Sequence, residues 1–234
     1  MQMFASASEV PNGMGYYTSL FKSDGELYWT PYYLPSGKLV DAYESKDLRL
    51  ACWFKHVGAE SYPLQLGGIT VNDENILIFT KFLGNLAYET NDYPGGHCAV
   101  KPFRISEMYL IAAEGYAQAG EPDNARKYLN DLQAARGASQ TTGEMENIKD
   151  EWFKETVGEG MRLQCLKRWG DGFTVRYAQP AAVQHEMIEA GKKNLADRAF
   201  TASDMYLLTL PIPNYELKIT PSLQQNEGYA LSVN

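Results

Sequence analysis

Between Pro11 and Ser36 the chain carries Tyr16, Tyr17, Tyr28, Trp29, Tyr32 and Tyr33 among Gly13, Gly15, Gly25, Pro31 and Pro35. Flat aromatic rings on loops shaped by glycine and proline can stack on the C–H faces of a sugar ring. Asn12, Lys22 and Asp24 stand nearby as donors and acceptors for its hydroxyls. The competing reading is that these rings cover the loop side of a hydrophobic core, as most tyrosines in a chain with 16 of them must. All six aromatics are candidate ligand-binding residues.

A second candidate is the pair Glu159 and Arg162, spaced to share one face of a helix. It could clamp a ligand; the preferred reading is an ion pair that locks the helix against its neighbours. His56, His97 and His185 are too far apart for metal-ligand spacing, so no metal is expected. The chain has no Gly-rich phosphate loop, no Gly-x-Ser-x-Gly elbow and no His-Glu-x-x-His. Glycoside hydrolysis needs two carboxylates flanking a sugar bond, and 29 acidic residues in a sequence do not define such a pair. No catalytic residue and no cofactor are assigned.

Composition narrows the partners. The net charge of −8 argues against a nucleic-acid surface, which needs clustered Lys and Arg. Apolar residues make up 44% of 234, enough for a sizeable core. Cys52, Cys98 and Cys165 are too few and too scattered for a disulfide framework, and each is expected to be buried and inert. No stretch is apolar enough to span a membrane. MQMFASASEV lacks the basic and apolar regions of a signal peptide and lacks a lipobox cysteine.

The elements that must position these residues change character near Gly95-Gly96. Residues 1–96 read as loops and short strands, with one short helix around Asp47–Trp53 and a buried strand within Ile76–Phe82. Pro11–Ser36 reads as mostly turns. Residues 97–234 read as helical. Ile105, Met108, Tyr109, Ala112, Tyr116 and Ala119 form one apolar helix face, and Gly120 ends that helix. Pro122 opens the next helix, whose face is Ala125, Tyr128, Leu129, Leu132 and Ala135, with Gly137 past its end. The short turn makes the two an αα-hairpin of tetratricopeptide type. A lone repeat cannot bury both its faces, so a third helix should pack on it. That helix is expected to start with a capping box, Thr141-x-x-Glu144, and to carry Met145, Ile148, Trp152 and Phe153 at its apolar positions. Gly158 and Gly160 predict a kink before Leu163 and Leu166. A further helix is expected at Ala181–Lys193 and a strand at Tyr206–Leu210. Pro211 and Pro213 then force an extended exit into a polar tail.

Three groups of residues resemble the SusD/RagB family. The first is Arg104, Glu107, Tyr109, Leu110, Ala113 and Glu114, opening the hairpin. The second is Glu159, Gly160 and Arg162, followed by Arg168, Trp169 and Gly170. The third is Ile212, Pro213, Glu216 and Pro221, then Gln225, Asn226, Gly228 and Tyr229. The resemblance departs where Trp152 follows Glu151, at Cys165, where an Asp is common, and at Thr220-Pro221, where Asn-Pro is usual. Before Arg104 it rests on Asp47-Leu48-Arg49 and a strand-rich stretch.

This resemblance implies a mainly α fold: a tetratricopeptide-like hairpin scaffold with an irregular, loop-rich region and a few short strands, forming one compact domain. It implies a surface lipoprotein of the outer membrane of Bacteroidetes-type bacteria, active in polysaccharide utilization and nutrient uptake. Such a protein binds oligosaccharide or polysaccharide without breaking a bond and delivers it to a TonB-dependent outer-membrane transporter. Peptide is a possible ligand within the family. Members are commonly about twice this long, so the chain reads as a C-terminal half or a short member. A tetratricopeptide adaptor for a protein segment and a glycan-active enzyme are the alternative readings.

Overall fold

The computed structural model describes residues 20–23, 25–29, 34–58, 62–66, 69–71, 75–81, 103–175 and 198–229. The expected helix at Ala181–Lys193 lies outside them. Helix dominates, and the few strands are short.

The helical hairpin forms, but its first helix turns a different face inward from the expected one. Leu110 and Ala113 are buried, Tyr109 and Tyr116 pack only at the edge of the core, and Ile105, Met108 and Ala119 are exposed. Helix α3 spans Ile105–Gln118 and α4 spans Pro122–Ala135. Between them Gly120 takes φ 76°, a left-handed conformation that side chains disfavour. Pro122 stands in the first turn of α4, where its missing N–H costs nothing. Ala113 and Ala125 are fully buried where the helices meet. Tyr116 stacks on Tyr128 at 5.5 Å between ring centroids. Helix α5, Met145–Glu155, closes the open side of the hairpin by burying Ile148 and Trp152 against Leu110, Leu129 and Leu132.

The expected capping box at Thr141 does not form. Glu144 is the N-cap residue of α5 and makes no side-chain cap. The Thr141 N–H instead donates to Asn130 Oδ1 and Gln133 Oε1 on α4, at 3.1 and 3.0 Å. Those bonds fold the loop back onto the hairpin.

The kink is present. Gly158 and Gly160 take φ 74° and 75°, and α6 starts afresh at Met161 and runs to Trp169.

The N-terminal region holds more regular structure than turns alone. A hairpin of β1 (Leu20–Ser23) and β2 (Glu26–Trp29) turns at Gly25, φ 86°. It joins β4 (Leu64–Leu66) and β5 (Ile69–Val71) in a four-stranded sheet ordered β1-β2-β4-β5. Helix α1, Gly37–Asp41, follows the hairpin, and α2, Leu48–Trp53, forms where expected with Asp47 capping it. Strand β3, Phe54–His56, pairs antiparallel with β6, Leu77–Phe79. Strand β6 is buried on both faces. Ile76 and Ile78 join the core under the sheet, while Leu77 and Phe79 join Leu39, Tyr43 and Phe54 in a second core.

After β7 (Phe173–Val175) and β8 (Arg198–Phe200), an antiparallel pair, the expected strand at Tyr206–Leu210 is replaced by a 3₁₀ helix, Ala202–Leu208. A capping box between Thr201 and Asp204 starts it, and that local signal outweighs the strand propensity of Tyr206–Leu210. The tail is not loop throughout, because Asn214–Ile219 is helical. Its polar residues tie it down. Gln225 exchanges hydrogen bonds with the Ile212 backbone at 2.7 and 2.9 Å, Asn226 Nδ2 donates to the Leu210 carbonyl, and Gly228 sits against the Tyr206 ring.

Candidate functional site

Of the six aromatic candidates, Tyr28 and Trp29 fall within the described residues; Tyr16, Tyr17, Tyr32 and Tyr33 lie outside them. Adjacent residues of a strand point to opposite faces of the sheet, and Tyr28 and Trp29 do so. Trp29 is 1% exposed and packs with Val57, Leu64, Val71 and Ile76. Its ring meets Tyr62 at 5.5 Å. Trp29 is therefore a core residue, with no free face for a ligand.

Tyr28 lies on the other face. Its hydroxyl donates to Glu26 Oε2 at 2.8 Å, the carboxylate two residues earlier on the same side of β2. Trp29 stands opposite Leu64 in register, both buried, so Gln65 belongs to the Tyr28 face. Thr70 pairs with Gln65 in the next strand and is exposed. The outer face of this sheet thus offers a phenol ring, a carboxylate, an amide and a hydroxyl, on strands held rigid by the core beneath.

A cluster of buried ions ties this sheet region to the helices. The Arg49 guanidinium donates to Asp47 at 2.9 and 2.7 Å, to Glu151 Oε1 at 2.5 Å and to Glu155 Oε2 at 2.9 Å. Glu155 also accepts from Arg104 and Arg136, and Gln133 Nε2 donates to Glu151. Burial alone would raise the Glu155 pKa, but the surrounding Arg136, Arg104 and Arg49 outweigh it and hold it at about 2. Burial pushes Lys81 the other way, down to about 8, against the attraction of Glu159. Every charge in this group has a close partner, as buried charges must, and its role is structural.

The expected Glu159–Arg162 pair does not form. Gly160, left-handed, separates Glu159 from α6, so the two residues share no helix face. Glu159 turns to Lys81 at 2.6 Å and Arg104 at 2.9 Å. Arg162 instead lies over the Phe153 ring, 4.7 Å from its centroid, beside a cleft of about 200 Å³ between α1, α5 and α6. Sequence reasoning missed that cleft because it gathers residues as distant as Lys38 and Phe173.

The Glu114 and Arg168-Trp169 motifs meet in space. Arg168 grips Glu114 with two bonds of 2.8 and 2.6 Å, and Trp169 Nε1 adds a third at 2.9 Å. This fork-to-carboxylate contact locks α6 to α3. Of the histidines, His56 is exposed and His97 and His185 lie outside the described residues. Cys165 is buried as expected, whereas Cys52 is exposed because it falls on the outer side of the short helix α2. Among the described residues no cluster of His, Cys, Asp and Glu could hold a metal ion, and no helix is long and apolar enough to cross a membrane.

A helical hairpin closed by a third helix, with α2 joined to it through a buried ionic cluster, defines a scaffold that presents surfaces. Residues 38–229 match the SusD family, and the chain belongs to that family. It is 30% identical over 140 residues to SusD-like protein P25 of Formosa agariphila, covering 54% of this chain and 24% of that protein. A Bacteroides vulgatus structure described as a candidate sugar-binding protein superposes with TM-score 0.55 at 25% identity. That match covers 93% of this chain and 42% of the other. A SusD superfamily protein from Bacteroides thetaiotaomicron superposes with TM-score 0.56 at 23% identity, covering 82% of this chain and 40% of the other. The chain thus spans less than half the length of these relatives.

Proposed function

We propose that the chain binds glycan at the cell surface without cleaving it and serves a TonB-dependent outer-membrane transporter to which the oligosaccharide passes. The full-length protein would be a lipid-anchored component of the outer membrane. The observation that carries this reading is the Tyr28 face. Its ring, carboxylate, amide and hydroxyl supply the stacking surface and hydrogen-bonding groups that a sugar needs, on a sheet whose opposite face is core. Family membership and the sugar-binding description of the Bacteroides vulgatus relative support it. Tyr16, Tyr17, Tyr32 and Tyr33 complete the proposed set; Trp29 does not belong to it.

Affinity electrophoresis through gels containing a panel of polysaccharides tests the proposal. At least one glycan should retard the wild-type chain, and Tyr28→Ala should reduce that retardation. Equal retardation of wild type and variant would remove Tyr28 from the site. Release of labelled fragments from the retarding glycan would replace binding by catalysis.

A further inference from the structure

The cleft beside Arg162 has the features of a second site. Arg49, Arg104, Arg126, Arg136 and Arg168 each meet a carboxylate within salt-bridge distance. Among the arginines whose side chains are described, Arg162 alone meets none. It is nonetheless half-buried, with its guanidinium carbon over the Phe153 ring at 4.7 Å from the centroid. Burial lowers its pKa, which means that the charged form is under-compensated where it stands. Arg162 lines the cleft with a planar fork of N–H donors, and the matching acceptor for such a fork is a carboxylate, bound through two parallel hydrogen bonds.

The rest of the lining favours a carboxylate carried on a polyhydroxyl ring. Lys149 is occupied by Asp171 and lies near the Trp169 ring, so this pair forms a neutral wall. Asp150 and Glu146 both line the same space, where they balance Arg162 and Lys38, and the Asp150 pKa is raised first by burial and then by Glu146. These carboxylates accept hydrogen bonds from hydroxyls and repel any anion whose charge is not seated on Arg162. Lys38 from α1 adds a donor. A volume of about 200 Å³ accommodates a single ring-sized unit; it lies below the roughly 300 Å³ at which pockets for drug-sized ligands begin.

We propose that the cleft between α1, α5 and α6 binds one acidic sugar unit, a hexuronate, with its carboxylate on Arg162 and its hydroxyls toward Asp150 and Lys38. This rests on the glycan-binding reading and narrows it to acidic glycans engaged at a site separate from the Tyr28 face.

Calorimetric titration of the chain with D-glucuronate tests it, with D-glucose, the neutral methyl ester of glucuronate, acetate and L-glutamate as comparison ligands. Glucuronate should bind, and each comparison ligand should bind at least tenfold more weakly. Arg162→Gln should weaken glucuronate at least tenfold, and Arg162→Lys should recover part of that loss. Lys127→Ala, an exposed change on α4 outside both sites, should leave glucuronate binding unchanged. Equal binding of the methyl ester, or of glucuronate by Arg162→Gln, overturns the assignment. Acetate binding as well as glucuronate reduces the cleft to an anion site, and stronger binding of L-glutamate assigns it to amino-acid ligands; both overturn the sugar class. The ligand arms compare compounds on the wild-type chain and so decide even where a variant folds poorly. Retention of polysaccharides without glucuronate binding removes this site and leaves the broader glycan reading standing. Loss of all polysaccharide retention removes the broader reading.

Discussion

Arg49 Nη1 lies 2.9 Å from Glu155 Oε2 across 106 residues of sequence, with both side chains buried. This contact joins the start of α2 to the last turn of α5, and so the sheet region to the helical scaffold. Glu155 also faces Arg104 and Arg136, so its removal leaves three guanidinium groups around an empty position. Breaking a buried pair from one side costs about 3–5 kcal/mol, because the remaining charge is left uncompensated. Glu155→Ala should lose stability in that range by urea denaturation. A loss below about 1 kcal/mol would show that the cluster is relaxed by water.

The same residue sets the response to acid. Its folded pKa of about 2 lies below its ordinary value of 4.5, so its contribution is fully present above about pH 4.5. That contribution is lost as pH falls toward 2, and amounts to about 3 kcal/mol at 1.4 kcal/mol per unit. Glu114, held down by Arg168 and Trp169 against its burial, adds a loss of the same sign. The stability gap between wild type and Glu155→Gln should be widest at neutral pH and close as pH falls through 4.5 toward 2. Urea unfolding curves at several pH values check this, and a constant gap would refute it.

Tyr28 and Trp29 are neighbours in sequence with opposite roles. Trp29→Ala empties a fully buried position and should cost about 3–5 kcal/mol. Tyr28→Ala removes a partly exposed ring that hydrogen-bonds to Glu26 and should stay within about 1 kcal/mol of wild type. The pair separates folding from binding. Thermal melts should respond strongly to Trp29→Ala, while glycan retention of the folded protein should respond to Tyr28→Ala. A large melting shift for Tyr28→Ala would place its ring in the core.

Much of the scaffold was legible because its signals are local. The apolar spacing of α4, Pro122 at its start and the glycines that end α3 and α4 each act within a turn or two, whereas the inward face of α3 is set by what packs on it and was misread. The motif Gln225-Asn226-x-Gly228-Tyr229 was visible as a pattern, but its work, clamping the Ile212 and Leu210 backbone, needs the fold to be seen. Asp47-Leu48-Arg49 likewise stood at the start of an expected short helix, but the sequence did not show the arginine's partners, which lie 102 and 106 residues away. Glu159 and Arg162 had the spacing of a pair, yet Gly160 between them breaks the helix on which that spacing depends. The strand face of Tyr28 was hidden for a different reason. Four-residue strands beside glycine read as turns, and only the register with β4 separates its outer from its buried side.

Two glycines allow the loop geometry around α5 to be tested. Gly143 and Gly160 both take left-handed conformations, φ 81° and 75°. A Cβ at Gly160 meets open space, so Gly160→Ala should cost only the conformational penalty, about 1–2 kcal/mol. A Cβ at Gly143 would lie 2.6 Å from Arg126 Cα, a backbone atom of α4 that cannot step aside alone. Gly143→Ala must therefore push the 137–144 loop off α4, straining the bonds from Thr141 to Asn130 and Gln133. Overpacking of this kind adds about 1–3 kcal/mol to the conformational penalty. Because α5 begins two residues later, the displacement also shifts Glu151 and Glu155 against Arg49. Gly143→Ala should melt lower than Gly160→Ala, and combining it with Glu155→Gln should cost less than the two losses taken separately. Strict additivity of the double variant would uncouple the loop from the ionic cluster.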